Sequence, residues 1–284
     1  MTELDSVMKN SARRTTACRL CGDVGTHLES HIIPRWVYRR LSRLNPGRSG
    51  SNPVHVGGGR TMLRATQLKE YLLCERCEAL MKRWEDCVAG LSLQENDRFP
   101  ALEAVTPFIG KADDPFVLAD ASMLDIEKIV RFGVSVIWRA SVSSKVPGVK
   151  LGRYADALAA YLRDDVAQLP PDARLRLVFI CPMSELRFDR TVCEPYTHRD
   201  DAHLVRIHSF YLFGMWFHLH VGCEDPSPVD MLCLATERKV TISDGARLSE
   251  ISATFHAENP PVGTIATPEC LADFAKLARG RRSR

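Results

Sequence analysis

Cys18-Arg19-Leu20-Cys21 and Cys74-Glu75-Arg76-Cys77 are the two stretches on which the reading of this chain turns. Each bracket holds two residues between its cysteines, so a tight knuckle aims both sulfurs at one point. Two such knuckles supply the four thiolates of a closed tetrahedral zinc site. A single C-x-x-C is ambiguous between a redox pair and half of a metal site. Two pairs within the first hundred residues favour structural Zn²⁺ on Cys18, Cys21, Cys74 and Cys77. The competing reading is four thiols buried as small hydrophobes.

The surrounding composition suits that chemistry. The chain has 284 residues, 45% hydrophobic and 26% charged, the make-up of an ordinary globular protein of one or two domains. It opens MTELDSVMKN, without the basic start and apolar run of a secretory signal. No segment approaches the ~20 apolar residues of a membrane span. The expected compartment is the cytoplasm, where ten cysteines serve as ligands or core thiols rather than disulfides. Net charge is +3 and uneven: residues 1–98 carry 16 Lys/Arg against 11 Asp/Glu, and the remainder 22 against 24. The cysteine half is thus the basic half, which permits a nucleic-acid partner.

Residues 1–16 are polar and read as a loose N-terminus. After the first knuckle, THLESHIIP suits a short extended segment. Val37, Leu41 and Leu44 recur at helical spacing, so RWVYRRLSRL (35–44) reads as an amphipathic helix whose other face carries Arg35, Arg39, Arg40 and Arg43. Residues 45–60, with Gly57-Gly58-Gly59, read as a loop. Leu80, Trp84, Val88 and Leu91 place a helix over 77–92. KADDP (111–115) is the expected boundary between a 17–110 zinc module and a 115–284 domain. In the second part, 124–142 and 151–165 read as helices. Segments 174–182, 206–222, 230–236 and 238–243 read as strands of an antiparallel sheet. The expected class is α+β.

The two knuckles frame Glu29-Ser30-His31-Ile32-Ile33-Pro34 on one side and Glu78 on the other. A zinc that unites them draws His31 toward Glu78. A histidine beside a carboxylate is a hydrolytic pair in outline: imidazole takes a proton from water, and a carboxylate holds a hard cation such as Mg²⁺.

C-x-x-C, then His followed by two aliphatics and Pro, then L-C-x-x-C opening a helix, resembles the HNH nuclease module. The likeness covers roughly residues 18–92 and extends to HNH-like bacterial proteins with E-S-H-I-I-P and L-L-C-x-x-C-E. It implies a treble-clef zinc module and hydrolysis of DNA phosphodiester bonds, with His31 as general base and Mg²⁺ or Mn²⁺ as catalytic ion. Where the family places a ligand directly before the base, this chain has Ser30, with Glu29 one residue further back and on the same face of an extended strand as His31. At the family's middle position stands Lys69, and at its final histidine stands Glu78. The implied catalytic set is therefore His31, Glu78 and Glu29, with Lys69, Arg35, Arg39, Arg40 and Arg43 against phosphates. The alternative is a zinc-stabilised module that binds nucleic acid or protein without cutting. Cys193 with His198, His203 and His208 is a weaker candidate for a second metal site.

Overall fold

The computed structural model describes residues 14–27, 29–46, 52–57, 60–64, 66–107, 116–181, 190–200, 205–223 and 230–243. The KADDP segment, His203 and nearly all of the N-terminal stretch lie outside these residues.

The chain begins with a hairpin, β1 (Arg14–Ala17) against β2 (Val24–His27), and the first cysteine pair forms its tip. Two backbone bonds close that tip, Cys18 N to Asp23 O and Gly22 N to Cys18 O, both 2.9 Å. Gly22 sits at φ +80°, a left-handed conformation that a Cβ disfavours, so the glycine after the second cysteine is part of the knuckle. A two-residue strand, β3 (Ser30–His31), follows and leads into helix α1 (Arg35–Leu44). Pro34 occupies the N-cap, and the helix buries Val37, Tyr38, Leu41 and Leu44.

Next comes a departure from expectation. Residues 54–57 and 60–63 are strands β4 and β5, an antiparallel hairpin, and the first of them lies within what composition marks as loop. Val54 and Val56 are β-formers, and pairing with a strand far along the sequence supplies the context that a local reading lacks. The next strand, β6 (Lys69–Glu70), pairs antiparallel with β3, placing His31 opposite Lys69. Helix α2 (Glu75–Leu91) opens with Cys74 as N-cap, with Glu75 and Glu78 in its first turn, where acidic side chains complement the helix dipole.

Further on are β7 (Thr106–Pro107), β8 (Phe116–Asp120), the long helix α3 (Ile126–Val142) and helix α4 (Tyr154–Leu162). The remaining strands are β9 (Ala173–Ile180), β10 (Val192–Asp200), β11 (Val205–Leu212), β12 (Met215–Val221) and β13 (Lys239–Ser243). Nine of the strands form one sheet in the order β5-β4-β10-β11-β12-β9-β13-β8-β7. The α+β class holds, but the sheet is mixed rather than antiparallel, because β13 runs parallel to β9 and β10 parallel to β4. Strand β10 has no clear sequence signal: Pro195 lies within it, and its register shifts between Cys193 and Tyr196, the kind of bulge that accommodates proline. The segment 230–236 is not a strand. It forms a 3₁₀ turn (Asp230–Leu232) and a short helix (Leu234–Glu237), as suits its Leu, Met and Ala content.

α3 is buried along almost its whole length. Gly133 lets it press onto the sheet: a Cβ there would lie 2.8 Å from the Phe217 ring and 3.1 Å from Leu175. One continuous apolar core takes in Cys18, Ile32 and Val37 near the N-terminus, Ile137 on α3 and Val240 on β13. The cysteine-bearing segment therefore packs directly on the helices of the second half.

Candidate functional site

Four thiols converge where the β1–β2 tip meets the start of α2. The sulfurs of Cys18, Cys21, Cys74 and Cys77 all lie within 4.8 Å of one another, and Cys21 Sγ is 3.7 Å from Cys74 Sγ. A tetrahedron with metal–sulfur bonds of about 2.3 Å has edges of about 3.8 Å, so the spacing matches a tetrahedral S₄ site. The Cys74 amide donates to Cys18 Sγ at 3.4 Å, and a backbone bridge joins His27 to Cys74. Cys18 and Cys77 are buried. Burial, followed by the neighbouring thiols, pushes the Cys77 thiol far above its ordinary range. Four crowded thiols disfavour simultaneous ionisation, and a divalent cation that takes the place of their protons relieves that conflict. The cluster can hold a metal ion such as zinc. With all four positions filled by sulfur, it leaves none open for chemistry.

His31 lies beside this cluster, half-buried on β3. Its Nε2 is 3.1 Å from Gln67 Oε1, and its ring centroid is 6.1 Å from that of Tyr38. Burial is the largest influence on the ring and lowers its pKa below the ordinary histidine value. Gln67 acts in the opposite direction, Lys69 and Arg35 lower it, and Glu78 raises it. His31 and Glu78 are thus close enough to feel each other's charge. Glu78 is half-buried on the first turn of α2, and its Oε1 is buried with no hydrogen-bond partner. An orphaned carboxylate oxygen is costly, and the charge of this carboxylate acts on the His31 ring.

The other expected residues divide. Glu29 and Lys69 line a cleft of ≈ 560 Å³ together with Arg64, Thr66, Gln67, Leu68 and Lys145. Glu29 is exposed there. Among the described residues the four cysteines are the only group of three or more Cys, His, Asp or Glu donors brought so close together. His31, Glu78 and Glu29 do not form a compact three-ligand set, and neither do Cys193, His198 and His208. His208 bonds Thr197 at 2.8 Å instead. On α1, Arg35 and Arg39 are exposed, and Arg43 pairs with Glu95 at 2.9 Å. Arg40 is committed inward. It donates to Ala89 O (2.9 Å), Ser92 Oγ (2.7 Å) and Leu93 O (3.2 Å) at the end of α2, and it stacks on Trp36 at 4.8 Å.

Two buried charged groups stand near the site, and the sequence marks only the second of them. Buried Glu194 on β10 meets His55 Nδ1 at 2.8 Å and Arg64 Nε at 2.8 and 2.9 Å, anchoring one wall of the cleft. Arg139 on α3 is 1% exposed and reaches the backbone of His31 itself. Its sequence signal was a charge inside a mostly apolar helix, which marks a buried ion pair without naming the partner. The partner is Glu85, at 2.9 Å.

No helix among the described residues is long and apolar enough to cross a membrane. Comparisons with protein-family models, with curated proteins and with solved structures find no match to this chain.

Proposed function

We propose that the chain is a metal-dependent HNH-like endonuclease in which the four-cysteine zinc is scaffolding and the His31–Glu78 pair carries the chemistry. One observation carries this reading most: a half-buried histidine with a lowered pKa senses the charge of Glu78, whose inner carboxylate oxygen lacks a partner.

His31 acts as general base. With its pKa below ordinary, the ring is neutral at pH 7 and able to accept a proton. Gln67 engages Nε2, so Nδ1 is the nitrogen that receives it. Water gives its proton to Nδ1, its oxygen forms the new bond to phosphorus, and the bond from phosphorus to the leaving deoxyribose oxygen breaks, that oxygen taking up a proton from solvent water. Glu78 would hold a Mg²⁺ or Mn²⁺ ion, a hard cation suited to a carboxylate oxygen. Such an ion, when bound, supplies Lewis-acid stabilisation of the phosphate and the leaving oxygen. Lys69, opposite His31, and the exposed Arg35 and Arg39 provide positive charge for the DNA backbone.

The absence of a compact three-donor site beyond the cysteines among the described residues favours a second reading, a zinc-stabilised module that binds nucleic acid without cutting. Nicking of supercoiled plasmid by the full chain in Mg²⁺ or Mn²⁺ separates the two. The nuclease reading expects nicking that falls at least ~100-fold in His31→Ala, the usual scale for loss of a general base. DNA binding without nicking in either metal supports the second reading, and nicking unchanged by His31→Ala removes His31 from the mechanism.

A further inference from the structure

We infer that Arg139 is a positioning residue for His31, so that the long buried helix of the second half forms the floor of the site built by the cysteine segment. The inference rests on the hydrolytic reading of His31 for its functional meaning, and on geometry alone for its physical content.

Arg139 lies near the end of α3 with 1% of its side chain exposed. Its Nη1 donates to the His31 carbonyl at 2.7 Å and is 2.9 Å from Glu85 Oε1 on α2, and Nε reaches Ser135 O at 3.4 Å. One planar guanidinium therefore ties the strand of His31 to the helix of Glu78. Glu78 and Glu85 stand two turns apart on that helix and repel each other electrostatically. β3 is only two residues long and, among the described residues, pairs only with the equally short β6, so it has little sheet of its own to hold it. A charge-assisted bond to the carbonyl of the catalytic histidine fixes its backbone where the ladder is too short to do so. A second tie runs parallel to it: Glu70 on β6 accepts from Ser143 Oγ, Ser144 N and Ser144 Oγ just beyond α3, at 2.6, 2.9 and 3.0 Å. Both strands of the His31 ladder are thus bonded to the C-terminal end of one helix.

Stranding Glu85 by removing Arg139 alone risks unfolding, since an unpaired buried charge is strongly destabilising. The test therefore uses the full-length double variant Arg139→Met/Glu85→Leu, which removes both charges together, alongside Arg139→Lys. Three quantities are read: thermal unfolding with zinc content, the His31 ring signals and titration by NMR, and plasmid nicking. The double variant is expected to stay folded and zinc-loaded while the His31 ring signals shift and broaden. Nicking is expected to fall ~10-fold or more in kcat with little change in KM. Arg139→Lys, which retains a donor, is expected to recover part of both. Superimposable His31 signals in a folded double variant overturn the inference. If the wild-type chain nicks nothing, the nuclease reading fails, yet the NMR comparison still decides whether Arg139 positions His31.

Discussion

His31 is surrounded by charges of both signs, and that balance makes its titration a sensitive probe of the site. Burial holds its pKa below 6.5, with Lys69 and Arg35 pushing the same way and Glu78 opposing them. On the nuclease reading proposed for His31, the base must be unprotonated to act, so the rate is expected to rise with pH through this lowered pKa and then level off above it. Lys69→Met removes a nearby positive charge, so the His31 pKa moves up and the rising limb shifts to higher pH. Glu78→Gln removes a negative charge and moves it down. NMR titration of the ring together with the pH–rate profile checks both directions; a ring that titrates identically in the two variants contradicts the placement of these charges around it. At this scale the sequence was informative where chemistry is local. The C-x-x-C spacing named all four cysteines, and the frame around them named His31 and Glu78. It was silent on Gln67, Arg64 and Glu194, because their importance arises only from partners far along the chain, 36 residues away for Gln67 and 130 for the Arg64–Glu194 pair.

Helices were more legible than strands. The apolar stripes of α1 and α2 repeat at helical spacing, 124–142 and 151–165 also read as helices, and all four helices appear close to where the sequence places them. The β4–β5 hairpin and β10 were not legible: glycine masked the first and Pro195 the second, and both owe their strand state to long-range pairing. The roles of individual arginines on α1 were also hidden. Four look alike in the sequence, yet Arg40 is turned inward to the end of α2, whose own last turn has no basic residue. It serves as that helix's cationic cap from a neighbouring element. Arg40→Ala is expected to cost about 2 kcal/mol, from lost charge-assisted bonds and ring stacking, measured by denaturant unfolding. Arg35→Ala and Arg39→Ala are expected to stay within about 0.5 kcal/mol of wild type while each reduces the salt dependence of DNA binding by about one phosphate contact. An Arg40→Ala chain as stable as wild type would show that its inward bonds contribute nothing.

Across the whole molecule, the cysteine segment and the mixed sheet share one core, with Arg139 and Glu70 crossing between them. The four-cysteine cluster joins the β1–β2 tip to α2, α2 carries Glu78 and Glu85, and α3 is bonded to both strands of the His31 ladder. On the proposed reading, zinc on those sulfurs would do no chemistry itself and would set the place where the chemistry occurs. The most direct test is a crystal structure of the full chain soaked in saturating Mn²⁺, with anomalous scattering recorded for zinc and manganese separately. The account predicts zinc on Cys18, Cys21, Cys74 and Cys77 and a distinct manganese on the Glu78 carboxylate, with a metal-bound water within reach of the His31 ring. Zinc on the cysteines with no manganese at Glu78 would contradict it.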